Sequence, residues 1–191
     1  MRIAIDIDGV IADQIPGVLK RIKDKYGVQM TKGQIRRWDE PVPDTTTDIR
    51  VEIETALSKD PNYILEMPVI HGAVDAITQL DQEGHTIILA THRDPAVEMH
   101  TRKWLVAMGI RFHGVLNTIG VGKGSIVADV LVDDNPDNVM AFSAGGRTGL
   151  LFTQPWNDNF EQGRHERILR VHGWGEVMKV IRQLKLGRGE Q

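Results

Sequence analysis

Ile3-Ala4-Ile5-Asp6-Ile7-Asp8-Gly9-Val10 is the stretch that decides the fold. A short apolar run that ends in two acids and a glycine fits a strand buried on both faces, meeting a polar site at its C-terminal end. Working outward, similar runs recur at Thr86–Ala90, Val130–Val132 and Thr148–Phe152, with a weaker one at Val115–Ile119, and these predict five strands. Apolar stripes at helical spacing lie between them. Val97, Thr101, Trp104, Leu105 and Met108 share one face, with Asp94 as N-cap and Pro95 at the first helical position. Ala73, Ala76, Ile77 and Leu80 form a second stripe closed by Gly84. Trp174, Val177, Met178, Ile181 and Leu184 form a third, before a Gly187–Gln191 tail expected to fray. Strands alternating with helices predict an α/β fold, a doubly wound, Rossmann-like parallel sheet.

One segment breaks the alternation. Between Asp13 and Pro68 there is no convincing strand, and the periodicity is helical: Ile15, Val18, Leu19, Ile22 and Tyr26 share a face that ends at Gly27, Thr31-Lys-Gly-Gln34 has the form of a capping box, and Ile49, Ile53, Ala56 and Leu57 make a further stripe. The expected organisation is therefore a core of residues 1–13 and 69–191, with residues 14–68 as a small helical cap inserted after the first strand. That position puts the cap above the carboxyl edge of the sheet, where open α/β folds bind ligands.

Composition removes whole classes of function. Twenty-three Lys and Arg stand against 26 Asp and Glu, and no long basic run occurs, so a polymeric nucleic acid is not an expected partner. The chain has no cysteine, which excludes a disulfide framework, thiol catalysis and Cys-ligated zinc. Acids interrupt the apolar N-terminus where a signal peptide would continue, and no long apolar stretch follows, so no membrane role is expected and the location read from the sequence is cytoplasmic.

Four features fall at predicted strand ends or in the loops beyond them: Asp6-x-Asp8-Gly9, Thr91, Lys123 in a glycine-flanked loop, and Asp133-Asp134. A cluster of carboxylates needs positive charge to neutralise it, and a hard divalent cation that takes oxygen ligands, Mg2+ best of all, is the natural partner. Because the chain leaves the strand at Asp6, one of the first two acids can offer a carboxylate to metal while the other offers its main-chain carbonyl. The latter's side chain then remains free for proton transfer.

In order and spacing, Ile5-Asp6-Ile7-Asp8-Gly9-Val10, Leu89-Ala90-Thr91, Lys123 and Val132-Asp133-Asp134 resemble the four motifs of the haloacid dehalogenase (HAD) superfamily of phosphohydrolases. Asp6-Ile-Asp8-Gly9-Val10-Ile11-Ala12-Asp13, Val132-Asp133-Asp134-Asn135-Pro136 and Leu151-Phe152-Thr-Gln154-Pro155-Trp156-Asn157 further resemble the 5'(3')-deoxyribonucleotidase group and its bacterial and phage relatives. The resemblance implies that Asp6 attacks phosphorus to form an aspartyl-phosphate and that Asp8 protonates the leaving group and later activates water. It also implies that Thr91 and Lys123 hold phosphoryl oxygens and that magnesium sits on Asp6, Asp8 and an acid of the last motif. Gly9 is a further substrate-binding candidate, as is His92, which directly follows Thr91 and reads as a phosphate or leaving-group contact or as a solvated loop residue. Asp134 is the first choice for direct coordination and Asp133 the second ligand; counting four residues on would instead pair Asp133 with Asp137.

Rival readings fail on order or pattern. A response-regulator receiver places its acidic pair before the Thr and Lys, whereas Asp133-Asp134 follows Lys123. Gly120-Val-Gly-Lys123-Gly-Ser125 imitates a phosphate loop, but Asn117 stands where the first glycine belongs and Gly124 separates the lysine from the hydroxyl. Trp38, beside Arg36 and Arg37, reads either as a base-stacking ring or as cap core. Arg93 reads as a phosphate contact or a solvated loop residue, and Trp156 as a wall of the site or a loop anchor. The activity expected is magnesium-dependent hydrolysis of a small phosphorylated metabolite, a nucleoside monophosphate first. The alternatives are a sugar-phosphate phosphatase and a catalytically idle nucleotide-binding module.

Overall fold

The computed structural model describes residues 1–161, 163 and 165–189. Its centre is a sheet of six strands, β1 (Arg2–Asp6), β2 (Thr86–Thr91), β3 (Gly114–Asn117), β4 (Val130–Asp133), β5 (Thr148–Phe152) and β6 (Ile168–Val171), in the order β3-β2-β1-β4-β5-β6. Every pairing is parallel, so all the carboxyl ends fall on one edge. The chain winds outward from β1 in one direction through β2 and β3, then in the other through β4, β5 and β6. The switch point thus lies between β1 and β4, where a crevice opens in folds of this kind.

The period of two along the strands divides the core into layers. Ile3, Ile5, Ile87, Leu89, Val130, Val132 and Leu150 join one large cluster, while Ala4, Ala90 and Leu131 point the other way and pack with Ile126 and Phe142. Helices α4 (Ala73–Gln82), α5 (Glu98–Ala107), α6 (Pro136–Ser143) and α7 (Trp174–Gly189) cover the sheet. No helix among the described residues is long and apolar enough to cross a membrane.

Three details depart from the sequence reading. A sixth strand, β6, was not predicted: Ile168-Leu-Arg-Val171 is four residues long, pairs only with β5, and so needs no continuous apolar run. Asp94 accepts a hydrogen bond from the Ala96 N–H at 2.8 Å, but it caps a single 3-10 turn at Pro95–Val97, and α5 begins only at Glu98. Helix α7 continues through Gly187 to Gly189; Glu190 and Gln191 lie outside the described residues.

The segment after β1 carries α1 (Ile15–Tyr26), α2 (Ile49–Lys59) and α3 (Pro61–Leu65). Gly27 ends α1 in the left-handed region, its N–H on the Lys23 carbonyl, and Asp48 caps α2 by accepting from the Val51 N–H at 2.9 Å. Where the segment leaves and rejoins the rest of the chain, the Asp13 N–H donates to the Pro68 carbonyl at 2.8 Å and the Ile70 N–H to the Ile11 carbonyl at 2.7 Å. The buried Trp104 indole N–H ties the same junction to α5 by donating to the Met67 carbonyl at 2.9 Å. The helices of this segment share the large apolar cluster with the sheet through Ile15, Ile22, Ile53 and Tyr63.

Candidate active site

Asp6 ends β1 and pairs in register with Ala90, one residue before Thr91, while Ile5 pairs with Val132, one residue before Asp133. Register alone therefore brings Asp6, Thr91 and Asp133 to one edge. Beyond Asp6 the chain folds into a tight turn in which the Ile7 carbonyl accepts from the N–H groups of Ile11 and Ala12. Gly9 has a φ of +80°, and a Cβ there would stand 2.2 Å from Asp134 Oδ2, so this position requires glycine for both its backbone and its space. The Gln154 amide clamps the turn from outside, Nε2 donating to the Gly9 carbonyl at 2.6 Å.

Lys123 is buried between two carboxylates, its Nζ 2.7 Å from Asp6 Oδ1 and 2.7 Å from Asp133 Oδ2. Burial opposes its charge, but the two acids outweigh it and hold the ammonium above the usual lysine range. Asp133 is saturated: besides Lys123 it accepts from the Asn135 N–H at 2.8 Å and from Asn138 Nδ2 at 3.2 and 3.3 Å. Among the described residues the Asp134 carboxylate accepts only the Trp156 indole N–H, at 2.9 Å on Oδ2, while its main-chain carbonyl accepts from Asn157 Nδ2 at 2.7 Å.

Oxygens of Asp6, Asp133 and Asp134 lie within 4.8 Å of one another, and this is the carboxylate cluster found among the described residues. Asp137 is not in it; it lines the cavity and opens α6, with its N–H on Asn135 Oδ1. Burial pushes Asp6 up to about 7, with Lys123 pulling down and Asp133 and Asp8 pushing up. Asp134 is likewise raised well above its ordinary value, by burial first and then by Asp6 and Asp133. Three carboxylates face one ammonium, an imbalance that a divalent cation with oxygen ligands would cancel, so the donor set fits such an ion.

The side chain of Asp8 points elsewhere. Arg93 grips it with Nε at 2.8 Å and Nη2 at 2.6 Å, and Arg93 Nη1 donates to Thr101 Oγ1 at 3.0 Å. Neither reading of Arg93 described this: the guanidinium is buried, not solvated, and its partner is a carboxylate. The free carboxylate expected for Asp8 is engaged for the same reason, and it lies outside the carboxylate cluster. Thr91 Oγ1 accepts from the Arg93 N–H at 3.1 Å, and His92 Nδ1 sits 3.2 Å from Thr118 Oγ1.

A cavity of about 560 Å³ opens over these groups, in the range of small-molecule sites. Asp6, Asp8, Lys123, Asp134, His92 and Arg93 line it together with the apolar side chains of Trp38, Trp156, Ile53 and Leu57, and the Trp156 indole meets the charged groups directly at Asp134. Gly9, Thr91 and Asp133 are not part of the lining. The Trp38 and Trp156 rings are 5.5 Å apart at 60°, and Trp38 also packs on the apolar cluster, so it is at once a cavity wall and part of the packing. Trp156 is more than a loop anchor, since it holds Asp134. Sequence reasoning assigned no role to Gln154, Asn138 or Asn157. Their only signal was that Gln154 and Asn157 flank the Trp156 motif.

A family model described as "5' nucleotidase, deoxy (Pyrimidine), cytosolic type C protein" matches residues 1–186. The chain belongs to this family. It is 24% identical over 188 residues to a Staphylococcus epidermidis protein named "Putative 5'(3')-deoxyribonucleotidase", covering 96% of this chain and 97% of that one. It is also 24% identical over 188 residues to the human mitochondrial 5'(3')-deoxyribonucleotidase, covering 95% of this chain and 82% of that one. Among solved structures, a haloacid dehalogenase-like hydrolase from Streptococcus pneumoniae aligns with a TM-score of 0.65 at 14% identity, over 94% of this chain and 97% of that one. The D,D-heptose 1,7-bisphosphate phosphatase of B. bronchiseptica, complexed with magnesium and phosphate, aligns with a TM-score of 0.52 at 15% identity, over 95% and 98%. This nucleotidase family member is thus a phosphatase with a haloacid dehalogenase-like fold.

Proposed function

We propose that the protein hydrolyses the phosphate ester of a nucleoside monophosphate with the help of Mg2+, using Asp6 as nucleophile and Asp8 as acid and base. The observation that carries this reading is one cavity lined both by Asp6, Lys123 and Asp134 and by two tryptophan rings. The family and the deoxyribonucleotidase names of its relatives support a nucleotide over another ester. Residues 14–68, which contribute Trp38, Ile53 and Leu57 to the cavity, serve as a cap that selects the leaving group, while the core recognises the phosphoryl group.

In the first step an Asp6 oxygen bonds to phosphorus, the ester P–O bond breaks, and Asp8 gives its proton to the departing alkoxide. In the second, Asp8 takes a proton from water as that water attacks phosphorus, releasing inorganic phosphate and restoring Asp6. Lys123 binds a phosphoryl oxygen, whereas Thr91, which does not line the cavity, supports the loop by accepting the Arg93 N–H. Asp6 and Asp134 would hold the cation, with the main-chain carbonyl of Asp8 completing its protein ligands and Asp133 holding Lys123 in place. When bound, Mg2+ supplies fixed positive charge that offsets the repulsion between Asp6 and an anionic phosphate.

A phosphate-release screen over nucleotides, sugar phosphates and aryl phosphates, with and without magnesium, tests the reading. The expected profile favours nucleotides and rises with added magnesium; full activity in excess chelator, or a sugar phosphate preferred over every nucleotide, would overturn it.

Burial of the acids makes cation binding pH-dependent. Burial pushes Asp6 up from the usual carboxylate range to about 7, so the folded state binds more protons than the unfolded chain across that interval and loses stability as pH rises through it. Magnesium must displace that proton below about pH 7. Its affinity should fall as pH drops from 7.5 to 6, by up to roughly tenfold per unit for each proton displaced, with proton release visible by calorimetry in buffers of different ionisation enthalpy. A pH-independent affinity would place the ion away from Asp6.

Trp38→Ala tests the aromatic wall. A stacked base is worth ~1–3 kcal/mol per aromatic ring, so the ratio of kcat/KM for a nucleotide over that for p-nitrophenyl phosphate should fall by about 5- to 150-fold. An unchanged ratio with a lowered melting temperature would reduce Trp38 to packing.

A further inference from the structure

Gln14 is the residue of the cavity wall that neither the fold nor the hydrolytic machinery explains. It stands at the N-cap of α1 yet makes no side-chain cap bond, and it is 1% exposed. Its main-chain carbonyl accepts the Tyr63 hydroxyl at 2.7 Å, but neither Oε1 nor Nε2 has a hydrogen-bond partner among the described residues. Of the residues lining this cavity, Gln14 alone carries buried side-chain polar atoms left unpaired.

The contrast with other buried polar side chains is informative. Arg93, Lys123, Gln154 and Asn157 are equally buried, and each is hydrogen-bonded. A buried amide left unsatisfied destabilises the fold, and a leucine in its place would not, so a group at this wall that completes both bonds is a physical reason for the amide.

We propose that Gln14 is a specificity-determining residue whose carboxamide hydrogen-bonds the base of the nucleotide; this rests on the nucleotide reading above. A carboxamide presents one acceptor beside one donor, and its complement is an adjacent donor and acceptor, which the edges of nucleobases offer and glutamine is able to pair bidentately. A sugar hydroxyl is a poorer match, since it offers a single oxygen to two separate amide atoms. A phosphate is excluded from this role because its oxygens only accept, and Oε1 would then face like charge. Since the amide can turn over end for end, Gln14 reads the presence of a base edge in preference to its identity. Trp38 and Trp156 supply apolar surface for the ring in the same cavity.

The test compares kcat/KM for deoxyuridine 5'-monophosphate and for deoxyribose 5-phosphate, which lacks the base, in the wild type and in Gln14→Leu. The nucleotide-to-abasic ratio should fall by about tenfold in the variant, the scale of one to two hydrogen bonds lost, while the melting temperature holds or rises because an unpaired buried amide has gone. An unchanged ratio overturns the inference and leaves the nucleotide reading intact, provided the wild type prefers the nucleotide. If the wild type shows no such preference, the nucleotide reading fails and this inference falls with it. Gln14→Glu keeps the test open should the leucine variant misfold. With two acceptors and no donor it should shift preference from deoxyuridylate toward deoxycytidylate, whose base carries an amino group, and no shift in a folded variant also overturns the base contact.

Discussion

Asp6→Asn is expected to lower turnover by at least roughly a thousandfold while the protein stays folded, the scale on which removal of a covalent nucleophile acts. The amide is close to the carboxylate in size, but it is neutral, a poor nucleophile and a poor ligand for a hard cation. Stability should not suffer as it would at an ordinary ion pair. Burial already works against the Asp6 charge, raising it to about 7, so a neutral side chain removes a desolvated anion. The loss on the other side is the contact with Lys123, 2.7 Å away, but Lys123 keeps Asp133 at 2.7 Å as its counter-charge. The melting temperature of the variant, measured beside kcat on protein purified free of host phosphatases, separates these effects. Retention of more than a tenth of the wild-type rate would remove Asp6 from the chemistry.

What the sequence discloses follows from how each feature is determined. Strands β1, β2 and β4 are buried on both faces, and burial of that kind writes itself as a continuous apolar run. Edge strands escape it: β3 is half-buried to exposed along its length and starts at Gly114, and β6 carries Arg170 in its middle. The meeting of Asp6, Lys123, Asp133 and Asp134 was legible because each acid ends or follows a strand of a parallel sheet, so topology brings them to one edge. The Asp8–Arg93 pair was not, because its members are 85 positions apart and their meeting depends on the angle at which the chain leaves β2. Gln14 lay in plain view at the start of a predicted helix. Its unpaired amide has no sequence signature, because satisfaction of a buried group is a property of the packed fold.

Asp8→Asn should cut hydrolysis of a nucleotide by about 10²–10⁴-fold, the range for losing a general acid, and reduce p-nitrophenyl phosphate turnover much less. An alkoxide leaving group needs a proton as it departs, whereas nitrophenolate is stable without one. The grip of Arg93 sharpens the argument. A guanidinium only donates hydrogen bonds, so the two contacts at 2.8 and 2.6 Å suit the carboxylate form, which is the form required when Asp8 takes a proton from water. The acid form carries an O–H that cannot face those donors. Donation to the leaving group therefore requires one oxygen of Asp8 to part from Arg93, and a bound substrate within reach of Asp8 in the cavity is the natural competitor for it. Asparagine can keep one acceptor toward Arg93 but turns a second donor against it, so some loss of stability accompanies the change. That structural loss would lower both substrates alike. The leaving-group ratio isolates the chemistry, and equal losses on the alkyl and aryl esters would show that Asp8 holds the site together without donating the proton.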